Sequence, residues 1–349
     1  MSSTDAVTAQ DRGVPSAPPP STRSPGGAPQ DPPRRSRLRQ ALLAKEVGLG
    51  SVLLVIVVFL SLQSDNFLTQ GNLTVVSRQI ALALFISIGM TFVVLSGAID
   101  LSVGSVVALV SVVVGQVMVT QGVTPVLAIV VALLAGTAVG AFNGAIVAFS
   151  LIPSFVVTLG TLAMARGLAL GLSTGQTVSG FPEGFLRLGQ GATAGIPNPV
   201  WLAVLVAIVA HLVLSRTTFG RHVYLIGSNE QAAVLSGIAV RRTKILIFMI
   251  AAFLASCAAV VETARLSVGQ PSAGSGYELA AIGAVVIGGA SLFGGEGSIL
   301  GTVLGTTLLA LILNALILLG ISAYWQQVFS GAIIIAAVAL NLLRQKPAR

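Results

Sequence analysis

SRTTFGRHVYLIGSNEQAAVLSGIAVRRTK, residues 215–244, is a polar interruption between long apolar runs. Arg216, Arg221, Arg241, Arg242 and Lys244 lie in it. Its middle carries the punctuation of one short helix over 228–237. Ser228 stands where an N-cap would, and Gln231, three residues on, has the capping-box spacing. Gly237 supplies the left-handed residue that ends the helix. Two readings follow. The segment is an ordinary loop whose helix satisfies its own backbone, or it is a surface held by another protein. Local signals alone favour the plain loop, because short capped helices are common.

The composition sets the class around this stretch. The 349 residues are 54% hydrophobic and only 9% charged, with mean hydropathy +0.94. Soluble domains carry roughly 25% charged residues, so the chain reads as an all-α polytopic membrane protein. Its net charge of +8 does not point to nucleic acid, because the basic residues flank apolar spans, which is a topology signal. The single Cys257 excludes an intramolecular disulfide and a multi-cysteine metal site.

Residues 1–40 form a separate Pro- and Arg-rich tail. Pro15, Pro18, Pro19, Pro20, Pro25, Pro29, Pro32 and Pro33 lie in it, and such a composition cannot bury a core, so it is expected to be disordered. It has no apolar stretch of its own, unlike a signal peptide. Arg34, Arg35, Arg37 and Arg39 stand just ahead of the membrane, where they favour anionic lipid. Residues 41–345 are the membrane domain. A bilayer needs about 20 apolar residues per helix, and ten candidates lie near 47–62, 73–95, 103–119, 125–149, 154–172, 200–214, 245–266, 279–292, 298–320 and 324–343. Lys and Arg concentrate in the head through Lys45, in the 215–244 loop, and in the tail with Arg344, Lys346 and Arg349. An even number of spans, six of them before the loop, puts all three segments on one side, which the positive-inside rule makes cytoplasmic.

Glycine spacing suggests how the spans pack. Gly136, Gly140 and Gly144 recur every fourth residue, as do Gly297, Gly301 and Gly305. This spacing lines small residues along one helix face and lets backbones approach. There is also an internal echo. Ser96-Gly97-Ala98-Ile99-Asp100-Leu101-Ser102-Val103-Gly104-Ser105 resembles Gly288-Gly289-Ala290-Ser291-Leu292-Phe293-Gly294-Gly295-Glu296-Gly297-Ser298, allowing one gap. Each copy joins two apolar runs and holds one acid among glycines. Repeats of this kind build transport paths where helices are interrupted; glycine-rich turns also resemble one another by chance. In the ten-span topology both copies start from the same side.

Charged groups near the membrane are few. Asp100 and Glu296 belong near an aqueous face or beside a partner, since a charge in mid-membrane is costly. Arg166, inside a span, either reaches for headgroups or anchors the protein interior. Glu262 and Arg265 are spaced to pair on one helix face. Asn143 can bond across helices. Catalytic sets are absent: His211 and His222 fit no His-Glu-x-x-His pattern, and no Gly-x-Ser-x-Gly elbow occurs. The run Leu172-Ser173-Thr174-Gly175-Gln176 mimics an ATP-binding-cassette signature, but the chain lacks a phosphate-binding Gly-x-x-x-x-Gly-Lys-Ser/Thr loop.

Several motifs together resemble the ribose-type sugar permeases of ABC importers. They are Ser96-Gly97-Ala98-Ile99-Asp100-Leu101-Ser102-Val103-Gly104, Ile152-Pro153-Ser154-Phe155-Val156-Val157-Thr158-Leu159-Gly160-Thr161, and Ala165-Arg166-Gly167. To these add Phe219-Gly220-Arg221, Gly227-Ser228-Asn229-Glu230-Gln231-Ala232-Ala233 through Ser236-Gly237-Ile238, and Gly276-Tyr277-Glu278-Leu279 before the Gly288–Gly295 turn. Ala280 departs from the pattern, which usually has Asp there. The resemblance implies a non-catalytic permease without a cofactor, paired with a second permease copy, a cytoplasmic ATPase and an extracytoplasmic sugar-binding protein. Ser228, Asn229, Glu230, Gln231, Ala232, Ala233, Ser236 and Gly237 would then couple to the ATPase. Asp100, Asn143, Arg166 and Glu296 would serve the path or its gating. A stand-alone secondary transporter or channel is the alternative, and it predicts an ionisable intramembrane cluster that the sequence does not carry.

Overall fold

The computed structural model describes residues 45–345; the expected disordered tail, 1–40, lies outside the described residues. Helices dominate because a backbone in lipid must satisfy its hydrogen bonds within its own segment. They are α1 (Lys45–Gln63), α2 (Gln70–Leu95), α3 (Val103–Gly115, continued by a π-turn to Thr120), α4 (Pro125–Phe149) and α5 (Ser154–Ser173). Next come α6 (Glu183–Gln190), α7 (Asn198–Arg216), α8 (Thr218–Ser228), α9 (Glu230–Leu235) and α10 (Val240–Leu266). The chain ends with α11 (Tyr277–Ile287), α12 (Ile299–Leu318) and α13 (Ala323–Gln345). Two-residue strands pair Val178–Ser179 with Val268–Gly269, and Ala192–Thr193 with Ile196–Pro197.

Among the described residues, eight helices are long and apolar enough to cross a membrane: α1 to α5 (α3 with its π-turn), α7, α10 and α12. α2, α3 and α10 form the enclosed centre, with Ile88, Met90, Val106, Val110, Ile247 and Phe248 fully buried. α1, α4, α5 and α7 expose Leu54, Leu134, Leu159 and Leu205 as an outer apolar surface, the side expected to meet lipid.

One expected span is corrected. The apolar run 279–292 does not make a full-length helix. α11 has 11 residues, about 16 Å at 1.5 Å per residue, against a bilayer core of about 30 Å. It stops because Gly289 turns left-handed (φ +91°) and the amides of Gly289 and Ala290 bond back to Val286 and Val285, a Schellman ending. Before it, residues 267–276 run non-helically down the side of α3. Gln270 N–H donates to Ser111 Oγ (3.2 Å), and a Cβ on Gly274 would lie 2.8 Å from Val107 Cβ.

The Gly136, Gly140 and Gly144 stripe is the face of α4 that meets α10. A Cβ would press on the Ser256 side chain of α10 (3.2 Å from its Cβ) at Gly136, and lie 2.6 Å from Ala252 at Gly140 and 2.7 Å from Ile245 Cα at Gly144. The two helices therefore run antiparallel at backbone distance. The second stripe is shorter than its spacing suggests. Gly301 and Gly305 press α12 onto Gly288 of α11, but Gly297 is outside the helix, at φ +148° in the preceding turn. The helix starts later because Ser298 is its cap, accepting from Gly301 N–H (3.0 Å). Polar pairs cross other seams: Thr91 with Thr302 (2.7 Å), Ser111 with Thr263 (2.8 Å), and Asn72 with Asn314 in a reciprocal amide pair. Such bonds hold helices together where lipid offers no hydrophobic drive.

Candidate functional site

The 215–244 stretch folds as two helices rather than one. Thr217 caps α8, accepting from Gly220 N–H (3.1 Å). Asn229 is fully extended (φ −162°, ψ 104°), ends α8, and caps α9 by accepting from Ala232 N–H (2.9 Å). The expected cap, Ser228, is instead the last residue of α8, and its hydroxyl donates to Tyr224 O (2.9 Å). Asn and Ser cap about equally well; the cap falls at 229 because the chain is extended there. The stop is as expected: Gly237 is left-handed (φ +78°), and Ile238 N–H returns to Ala233 O.

α9 buries only Ala233, against Ile226 and Val240. Gln231, Ala232 and Ser236 are exposed, Val234 is 56% exposed and Leu235 90% exposed. Glu230 pairs with Lys244 at the start of α10 (2.7 Å). A capped, charge-tied helix thus presents apolar side chains outward.

The other face of the loop meets the echoed turns. Both turns begin alike. Gly97 (φ +76°) closes α2 on a Schellman ending with Val94 and Val93, as Gly289 closes α11. Each is followed by Ala at the next position, and there the likeness of backbone stops: Gly294 and Gly295 are left-handed in the second turn, and nothing after Gly97 is left-handed in the first. The turns also touch: Gly295 N–H donates to Leu95 O (2.9 Å). Gly227, near the end of α8, lies against both. A Cβ there would press on Leu95 O and stand 2.6 Å from Gly295 N. Tyr224 of α8 donates its hydroxyl to Gly297 O (2.9 Å). One helix therefore supports the turn that joins α2 to α3 and the turn that joins α11 to α12. Glu296 is on the exposed side of the second turn.

Asp100 and Asn143 are brought together, both fully buried. Asp100 Oδ1 accepts from Ser102 N–H (2.8 Å) and Oγ–H (2.6 Å). Asn143 of α4 donates to Ser102 Oγ (2.9 Å) and accepts from Thr161 of α5. The first turn is thereby tied to two further helices. Burial pushes the Asp100 carboxyl above its ordinary range, and the two Ser102 bonds oppose that shift. Arg166 is elsewhere, acting as an anchor: its Nη1 donates to Pro271 O (2.7 Å) and Ala273 O (2.8 Å), gripping the segment that precedes α11.

A cavity of about 280 Å3 lies beside α11, between α2 and α12. None of the four residues singled out for a path lines it. Gln79, Arg265, Tyr277 and Thr306 do, with alanines of α11 between them. Ala280, the departure from the family pattern, is one of these alanines. Glu262 does not face Arg265 alone, because its carboxylate accepts the Tyr277 hydroxyl (2.6 Å). The sequence offered Glu262 and Arg265 as a pair, and Tyr277 and Ala280 through the family motif, but not their meeting with Gln79 and Thr306, because these residues are scattered over four elements, α2, α10, α11 and α12.

A multi-pass helical membrane protein, with an interrupted helix, paired glycine turns and an exposed capped loop helix, belongs to the class of membrane permeases. Residues 72–338 match the family described as branched-chain amino acid transport system / permease component. Similar proteins include the ribose import permease protein of Escherichia coli (strain K12), 40% identical over 297 residues, covering 84% of this chain and 92% of that protein. The ribose import permease protein of Bacillus subtilis (strain 168) is 41% identical over 84% of this chain and 91% of its own length. The D-allose transport system permease protein of Escherichia coli (strain K12) is 39% identical over 88% and 94%. No solved structure matches the chain. The chain belongs to this family of ABC-importer permeases. It is a membrane-embedded, non-catalytic subunit of a system whose ATPase is a separate partner.

Proposed function

We propose that this permease forms the path for a monosaccharide, delivered by an extracytoplasmic binding protein and driven by a cytoplasmic ATPase. Its relatives are named for ribose and allose, and a further one for L-arabinose. Two permease copies, identical or different, assemble side by side with the ATPase below them. The chain makes ten crossings, with residues 267–276 and α11 together making one of them. Both ends and the α8–α9 loop face the cytoplasm, in keeping with the clustered Lys and Arg.

The observation that carries the coupling role is the double support given by α8. A helix braced on two turns at once can move both when α9 is pushed. Residues Ser228, Asn229, Glu230, Gln231, Ala232, Ala233, Ser236 and Gly237 make up the transmitting unit, with Val234 and Leu235 seated in the ATPase. Asp100, Asn143, Arg166 and Glu296 serve gating by holding the turns and the 267–276 segment beside the path. Alternating access then follows from rigid displacement of these braced elements.

The test is reconstitution. The chain, its ATPase and its binding protein are placed in proteoliposomes, and uptake of labelled D-ribose, D-allose and L-arabinose is measured. Uptake of one of them is expected only with ATP and all three components. The chain alone should hydrolyse no ATP, since it carries no phosphate-binding loop. Uptake without ATPase or ATP would instead make it a stand-alone transporter.

A further inference from the structure

α5 carries one charge far from either of its ends. Arg166 stands twelve residues after Ser154 and seven before Ser173, about 18 Å and about 10 Å along the helix. It is only partly buried. Its Nη1 bonds to Pro271 O and Ala273 O leave other donors of the guanidinium to spare. Ser272, between those two carbonyls, is exposed. So is Ser275, whose hydroxyl donates to Ser272 O (2.9 Å). Glu278, in the first turn of α11, is also partly exposed, and near enough for its charge to attract that of Arg166. Four polar side chains therefore form one cluster on an open face of the chain.

Two physical arguments keep lipid away from this face. A charge facing hydrocarbon at such depth is costly. Non-helical backbone at membrane depth is tolerated only where protein buries it or where it lines a water-filled cavity, and Ser272, Ser275 and Gly276 are exposed on such backbone. The outer surface at Leu54, Leu134 and Leu205 has neither feature. Beside the cluster, α5 is slim. Ala163, three residues before Arg166, and Gly167 are exposed, and nothing lies within 4 Å of a Cβ at Gly167. Small residues let another protein surface come close. The cluster holds one positive and one negative side chain, so it complements its own image across a two-fold axis.

We propose that Arg166, Ser272, Ser275 and Glu278 are the groups that the passing monosaccharide touches at mid-membrane, in a water-filled gap closed on its far side by the same face of a second copy of this chain. This rests on the reading of the chain as a sugar permease. Sugar hydroxyls both donate and accept; the guanidinium donates, the carboxylate accepts and the serines do both. Each copy supplies only one wall, so the sugar is held weakly. Passage requires this, since a site that binds too well does not release.

Replacing Cys257 with Ser leaves no native thiol. Ser272→Cys and Ala163→Cys are introduced singly, with Leu205→Cys on the outer apolar surface as control. Each complex is assembled with its ATPase and binding protein in proteoliposomes. A small charged methanethiosulfonate, which reacts where water reaches, is the probe, and labelled D-ribose, D-allose and L-arabinose are the solutes. Ser272→Cys and Ala163→Cys should react at least ten-fold faster than Leu205→Cys, and the transported sugar should slow them. Modification at either should cut uptake at least ten-fold, while ATPase activity stimulated by the loaded binding protein stays within two-fold. A bis-methanethiosulfonate long enough to span a sugar-sized gap should join two Ala163→Cys chains into a covalent dimer. Reaction no faster than at Leu205→Cys would mean that lipid covers the face, and would overturn the proposal. Full modification with undiminished uptake would overturn it too and leave the sugar-permease reading intact. Cross-linking that yields no dimer would remove the second copy from this face, again against the proposal. An unmodified complex that takes up none of the three sugars would defeat the sugar reading itself, and this proposal with it.

Discussion

Gly227 shows how much one missing methyl group decides. Its backbone is ordinary helix, so no unusual torsion explains it; the space does. A Cβ would be driven into Leu95 O, with Gly295 N at 2.6 Å. Overpacking of a tight contact costs about 1–3 kcal/mol. Gly227→Ala should therefore lift α8 from the turns, lowering the thermal stability of the purified permease and reducing labelled-sugar uptake. Gly160→Ala is the matching control, because nothing lies within 4 Å of that position. If the two variants behave alike, the contact does not matter. Sequence gave no sign of this role for Gly227. The glycines it singled out were those with a four-residue repeat, and Gly227 meets partners 132 and 68 positions away. Asn229 is a similar case. The capping chemistry was visible, but Ser228 and Asn229 both qualify, and only the extended backbone at 229 decides between them.

At the scale of the element, α9 is too short to be stable by itself, since isolated helices below roughly 12 residues are marginal in water. It persists because Ala233 packs on Ile226 and Val240 and Glu230 binds Lys244. That leaves Leu235 outward, where an apolar side chain gains nothing unless covered. Leu235→Asp and Glu230→Lys should leave the amount of permease in the membrane near normal. Both should lower co-purified ATPase several-fold and lower sugar uptake with it. Gly237→Val tests the same element differently: the site is open, but φ +78° strains a β-branched residue. It should reduce uptake more than ATPase association. Parental uptake and association in all three variants would reduce α9 to a connecting loop.

At the scale of the whole molecule, the proposed topology puts the three basic segments of the sequence on the cytoplasmic side. Single cysteines at Ser228 and Thr193, after Cys257→Ser, test this with an impermeant thiol reagent on intact cells. Thr193 should be labelled and Ser228 should not; labelling at Ser228 would reverse the orientation. Fold class and family were readable in the chain because hydropathy and short motifs are local properties. The α4 glycine stripe was readable for the same reason: a period of four on one helix needs no knowledge of its neighbour. What the sequence could not convey is where distant segments meet. The apolar run 279–292 looks like any other span, and its early stop depends on Gly289 adopting a left-handed backbone, beside the Gly288 that α12 packs against. The touching of the two glycine turns, their common seat on α8, and the cavity beside α11 are products of tertiary packing. They arise from contacts between residues far apart in the chain, such as Gly227 with Leu95 and Gly295, which no local pattern of the sequence encodes.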